Sequence, residues 1–117
     1  MDIKCDERET ATCLTVAGKL DLMNAVEVKE MVKALLERDR TKIHIDMSGV
    51  DFINSSGLGA MVSMLKEIRM RQGRLTLSNL APYIVEIFEI TQLSNVFEIY
   101  NTVEEAMASQ GGVPATP

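Results

Sequence analysis

"DFINSSGLGAMVSML" (residues 51–65) changes hydrophobic period inside a few residues. Before it, Ile43, Ile45 and Met47 alternate with Lys42, His44 and Asp46, which is strand periodicity with one apolar face. After it, Gly57, Ala60, Met61, Met64, Leu65 and Ile68 recur at helical spacing, with Ser63, Lys66, Glu67 and Arg69 opposite. "SGVDFINSSG" is read as the turn between them, with Ser55 or Ser56 as a helix cap and the glycines allowing close packing. A strand handed to a helix this abruptly is the repeating unit of an α/β domain, and the loop after a strand's carboxyl end is a usual functional position.

Working outward gives more units of the same kind. Upstream, residues 3–7 and 11–17 read as two short strands of a hairpin, with Gly18 ending the second. Asn24, followed three residues later by Glu27, reads as a helix cap. Ala25, Val28, Met31, Val32, Leu35 and Leu36 then form one apolar face. Downstream, Gly73 reads as the stop of the second helix and "RLTLSNL" as a strand. Pro82 opens a helix through "YIVEIFEI", "VFEIY" is a short strand, and Thr102 with Glu105 caps a last helix. The expected order is ββαβαβαβα: a single α/β domain over residues 1–108, with a mixed, mostly parallel sheet of four to five strands and four helices. Alternation in the Ile43 strand predicts one sheet face less covered by helices. Residues 109–117 are expected to form a flexible tail.

Composition narrows the function classes. The 117 residues are 46% hydrophobic and 25% charged, with eight methionines and no tryptophan. A net charge of −5 argues against direct nucleic-acid binding. No apolar run reaches the ~20 residues of a membrane span, and the charged start "MDIKCDERET" does not read as a signal peptide, so a cytoplasmic location is expected. Cys5 and Cys13 form no CxxC pair, and His44 is the only histidine, so neither a metal site nor a cofactor is expected. The two thiols read as reduced, although neighbouring strands would bring them close.

No enzyme motif emerges. "GLG" lacks the third glycine and the downstream carboxylate of a dinucleotide fingerprint, and no Gly-Lys-Ser/Thr follows it. "NSSG" is not a Gly-x-Ser-x-Gly nucleophile elbow. A catalytic triad would have to recruit His44, which reads as a solvated strand residue.

"IHIDMSGVDFINSSGLGAMVSML" with "GRLTLSNLAPYIVEIFEITQLSNVFEIYNTVEEAMA" resembles the bacterial anti-sigma factor antagonists of the STAS domain family. The matching positions are Asp46, Phe52, Ile53, Asn54, Ser55, Ser56, Gly57, Leu58 and Gly59, joined upstream by Gly18, Leu20 and Asp21. The resemblance covers about residues 3–108. It implies a binding protein with no catalysis of its own, acting in a partner-switching pathway. Its first serine, Ser55, would be phosphorylated by a serine kinase that is also an anti-sigma factor, and a metal-dependent serine phosphatase would reverse this. Ser56 is the lesser candidate acceptor. The unphosphorylated form would bind the anti-sigma factor and free sigma.

The partner-binding set expected from the resemblance is Asp21, Asn54, Ser55, Ser56, Gly57, Leu58 and Met61, presented by a monomer or weak dimer. Leu58 and Met61 also read as core. Asp21 also reads as a partner of loop N–H groups near the next helix. Asn54 stands where the family most often has Asp; it keeps the capping oxygen and removes a charge. The alternative function is a constitutive STAS scaffold or ligand-binding regulatory domain, for example of a transporter, without phosphorylation.

Overall fold

The computed structural model describes residues 1–111. Five strands and four helices follow one another as β1 (Asp2–Glu7), β2 (Thr12–Leu20), α1 (Leu22–Glu37), β3 (Lys42–Ile53), α2 (Ser55–Met70), β4 (Arg74–Ser78), α3 (Pro82–Ile90), β5 (Glu98–Tyr100) and α4 (Val103–Ser109), with one 3-10 turn at Leu93–Asn95 before β5. The sheet order is β1-β2-β3-β4-β5. β1 is antiparallel to β2, and the other pairs are parallel. This is the expected ββαβαβαβα domain.

Leu14, Val16, Ile43, Ile45, Met47, Leu75 and Leu77 carry one face of the sheet into the main core. They meet Val28 and Val32 of α1, Met61, Met64 and Ile68 of α2, and Ile84 and Phe88 of α3. Phe88 stacks at a tilt on Phe97, with ring centroids 5.5 Å apart. Among the described residues the other face is covered by the short helix α4, through a smaller cluster of Ala11, Cys13 and Met107. One face is thus less covered, as the alternation in β3 suggests.

His44 departs from expectation. It lies on the α4 face and is completely buried rather than solvated. Its Nδ1 lies 2.8 Å from Thr76 Oγ1 and its Nε2 2.7 Å from Ser78 Oγ. Gln110 Nε2 closes the network by donating to Thr76 Oγ1 and to the Ile43 carbonyl. Strand alternation identified the face but not its cover. A helix as short as α4 suffices when hydroxyls satisfy the imidazole. Because Gln110 is buried as well, the packed unit continues past residue 108. The tail expected beyond it lies, at 112–117, outside the described residues.

Three boundaries also move. β2 does not stop at Gly18. It runs on to Leu20, with register shifts between Thr15 and Ala17 and between Gly18 and Lys19, and Gly18 takes φ +118, which a side chain would strain. The segment read as a turn after Met47 is strand: β3 continues to Ile53. Its first half pairs with both β2 and β4, but β4 ends opposite Asp46, so beyond Met47 only β2 accompanies it. The left-handed residue after α2 is Gln72, one before Gly73. Cys5 and Cys13 lie on adjacent strands, but Cys5 pairs with Leu14 and Asp6 with Cys13, which puts the two thiols on opposite faces. Both are free. Among the described residues no helix is long and apolar enough to cross a membrane.

Candidate functional site

Leu20 pairs with Ile53 at the carboxyl ends of β2 and β3. The next residue on each strand is therefore its neighbour's neighbour: Asp21 on one, Asn54 on the other. Each is a helix cap. Asp21 Oδ1 accepts the Asn24 N–H at 3.0 Å and opens α1. Asn54 Oδ1 accepts the Gly57 N–H at 2.9 Å and opens α2. Two caps were thus misassigned from sequence. Asn24 is inside α1, where its side-chain amide donates to the Lys19 carbonyl. In α2 the cap is Asn54, and neither serine has that role. In both cases a strong capping residue sat three positions before the N–H it accepts, and a second polar residue nearby offered an equally good pattern.

The two junctions are also in contact. A Cβ built on Gly57 would lie 1.9 Å from the Leu20 carbonyl oxygen. No side chain fits there, so Gly57 is fixed by close approach of α2 to the end of β2. Gly59, one turn position on, meets nothing within 4 Å. Helices α1 and α2 therefore start side by side, with the positive ends of both dipoles at the same edge of the sheet. Ser55 and Ser56 occupy the first two positions of α2 and are exposed. Their N–H groups precede the first intrahelical bond, Leu58 N–H to the Asn54 carbonyl.

The expected binding set divides by burial. Asp21, Asn54, Ser55 and Ser56 come together at the surface, and Leu58 is half-buried. Gly57 and Met61 are buried; Met61 belongs to the core beneath α2 and offers a partner no surface. In their place stand apolar side chains outside the expected binding set. Leu22 is 56% and Met23 80% exposed at the start of α1. Phe52, before the cap of α2, is also exposed, with the Lys19 ammonium 5.9 Å from its ring centroid. Tyr83 of α3 is exposed and donates its hydroxyl to the Asp51 carbonyl. A signal for Leu22 and Met23 was present: once Asp21 is the cap, both fall outside the stripe Ala25, Val28, Val32, Leu35, Leu36. Asp46, by contrast, has local work. Its Oδ1 accepts the Ser48 N–H and the Asn79 side-chain amide. Among the described residues no three His, Cys, Asp or Glu side chains gather as a metal site requires.

The unpaired N–H groups and the positive dipole end at the start of α2 favour an anion there.

Known proteins place this arrangement. The STAS domain family matches residues 2–106. An anti-sigma-B factor antagonist of Listeria monocytogenes is 35% identical over 106 residues, covering 90% of this chain and 93% of that one. Its Bacillus subtilis namesake is 28% identical over 113 residues, 97% of this chain and 95% of that one. Among solved structures, a putative anti-sigma factor antagonist from Thermotoga maritima superposes with a TM-score of 0.84 at 27% identity, covering 92% of each chain. With a family model spanning residues 2–106 and a relative 35% identical over 90% of the chain, the chain belongs to the STAS domain family.

Proposed function

We propose that this protein is an anti-sigma factor antagonist: a binding protein of a partner-switching pathway, without catalysis of its own. Its unphosphorylated form binds an anti-sigma factor that is also a serine kinase. Phosphorylation at Ser55 blocks that binding, and a metal-dependent serine phosphatase restores it. The relatives named anti-sigma-B factor antagonists support the class of partner. The observation that supports a serine switch is the Asn54 cap. Because Asn54 accepts the Gly57 N–H, Ser55 and Ser56 are both free of that duty and both exposed, and the match to the family's motif selects Ser55.

The partner's footprint is Asp21, Asn54, Ser55, Ser56 and the edge of Leu58, extended by Leu22, Met23 and Phe52. Burial of Leu22 and Met23 supplies affinity, at about 25 cal/mol per Å² of apolar surface removed from water. The serine supplies control, because a phosphate would have to be desolvated on docking. A loss of about 2.7 kcal/mol weakens binding a hundredfold.

The experiment compares binding of the cognate kinase to wild type, Ser55→Ala, Ser55→Asp and genuinely phosphorylated protein by calorimetry. Ala should bind like wild type, and the phosphoprotein about a hundredfold or more weaker. Phosphoprotein and wild type binding alike would reject the charge mechanism. Mass spectrometry of the kinase reaction on Ser55→Ala tests the acceptor, because continued phosphorylation at Ser56 would reassign it.

A further inference from the structure

The last turns of α2 and α3 carry opposite charges at matching first and fourth positions; their second positions differ, Glu67 on α2, 4.0 Å from the Lys29 ammonium, and Ile87 on α3. α2 ends Lys66-Glu67-Ile68-Arg69-Met70, and α3 ends Glu86-Ile87-Phe88-Glu89-Ile90. In each, the third residue is fully buried in the main core. In each, the first and fourth are exposed charges, cationic on α2 and anionic on α3. In each, the fifth is an exposed large apolar side chain: Met70 at 82% and Ile90 at 81%. Both helices lie on the same face of the sheet and end at the same edge. Arg69 ties the end of α2 to the segment after the 3-10 turn by donating to the Val96 carbonyl at 3.0 Å, and Val96 is itself exposed. Among the described residues, Lys66, Glu86 and Glu89 take part in no ion pair.

A positive strip beside a negative strip of the same length is self-complementary. A two-fold axis lying along the helix direction sets α2 of one copy against α3 of the other and α3 against α2. Lys66 and Arg69 then stand level with the copy's Glu86 and Glu89, since each pair sits four and one residues before its helix end. Met70 meets Ile90 twice, which removes from water the two most exposed large apolar side chains of this end. We infer that the C-terminal ends of α2 and α3 form a self-association surface whose partner is a second copy of this chain, making a symmetric dimer.

The dimer is weak and salt-sensitive. Its apolar centre is only Met70, Ile90 and Val96, far short of an obligate interface. Its charges are surface charges, screened within about 8 Å at physiological ionic strength. A dissociation constant of about 0.1–1 mM at low salt fits such a contact. The surface is separate from the Ser55 edge, because Ser55 and Met70 are at opposite ends of α2, about 22 Å apart along the axis. A dimer would therefore present two Ser55 sites outward.

Sedimentation equilibrium over a range of protein concentrations tests this, at low and at high salt. Two charge-reversal variants are needed, both confined to exposed positions: Lys66→Glu/Arg69→Glu and Glu86→Lys/Glu89→Lys. Each alone should weaken self-association about tenfold or more, because like charges then face each other. An equimolar mixture of the two should form a heterodimer at least as tight as wild type, since every facing pair is again opposite in sign. Recovery on mixing is the decisive signature, since neither misfolding nor a change in net charge reproduces it. A wild type that stays monomeric up to about 2 mM at low salt overturns the inference. Variants that associate like wild type, or a mixture that fails to recover, also overturn it.

Discussion

Acid should weaken this protein well before its carboxylates titrate, and His44 is the reason. Burial pushes its pKa down from 6.5 to about 4; the nearby Asp46 carboxylate and a hydrogen bond to the Thr76 backbone oppose the shift, and Arg8 adds to it. Both ring nitrogens lie within hydrogen-bond distance of a hydroxyl, Nδ1 of Thr76 and Nε2 of Ser78, and Gln110 donates to the same Thr76 hydroxyl.

In the unfolded chain His44 takes up its proton near pH 6.5, whereas in the folded chain it does so near pH 4. The unfolded state therefore binds more protons between those values. Stability is intact above about pH 6.5, falls as pH drops from there to about 4, and is level below that as far as this group is concerned. A shift of this size amounts to about 3 kcal/mol at its limit, of which about 2 kcal/mol is lost between pH 7 and pH 5. Glu7 and Glu98 have carboxyls held below their ordinary range, by Arg38 and Arg74 respectively, so their share is lost only at lower pH.

The assay is urea unfolding at pH 7, 6 and 5 for wild type and His44→Gln. Wild type should lose about 0.7–2 M in its midpoint between pH 7 and pH 5, given a slope of about 1–3 kcal/mol per M. His44→Gln should start lower at pH 7 and change much less. Parallel losses in the two proteins would refute the assignment to His44, and so would an imidazole NMR signal titrating near pH 6.5 in the folded state.

Other outcomes follow from the junctions. Asn54→Ala should lower stability by about 1 kcal/mol in urea titration, whereas Asn54→Asp, which keeps the capping oxygen, should not. Comparing phosphorylation rates of wild type and Asn54→Asp asks whether the missing charge affects the kinase; equal rates would show that it does not. Gly57→Ala should cost at least about 2 kcal/mol by thermal unfolding, since its Cβ meets the Leu20 carbonyl. Gly59→Ala, with open space around it, should instead stabilise by up to about 1 kcal/mol. Met23→Ser and Phe52→Ser should weaken kinase binding with little change in melting temperature, because both side chains already face water.

Periodicity was enough for the element order. The stripes in α1 and α2 and the alternation in β3 each report directly which side of an element is buried. It was not enough for what lies on the far side of the sheet, because His44 reads the same whether water or α4 covers it. Caps were ambiguous for a related reason. Asp21 and Asn24 are both good capping residues, and only the course of β2 through Gly18 to Leu20 decides between them. Met61 shows the opposite limit: the spacing of α2 allowed core or surface, and packing chose core. The Ser55 region was legible as a junction, but the contact that fixes it is between residues far apart in sequence, the Leu20 carbonyl and Gly57.

β3 outruns β4 by seven residues, and this gives the protein a mechanical division of labour. The half of β3 that is hemmed in on both sides anchors the molecule. The half that leads to Ser55 is a two-stranded jetty, with β2 as its only companion. Partners that grip or modify the tip load the jetty first, and its local opening does not require the five-stranded region to give way. Amide exchange should therefore rank the residues from 49 to 53 as less protected than those from 43 to 45. On the proposed function, a protein seized and released by successive partners is in this way handled at one end without being unfolded from the other.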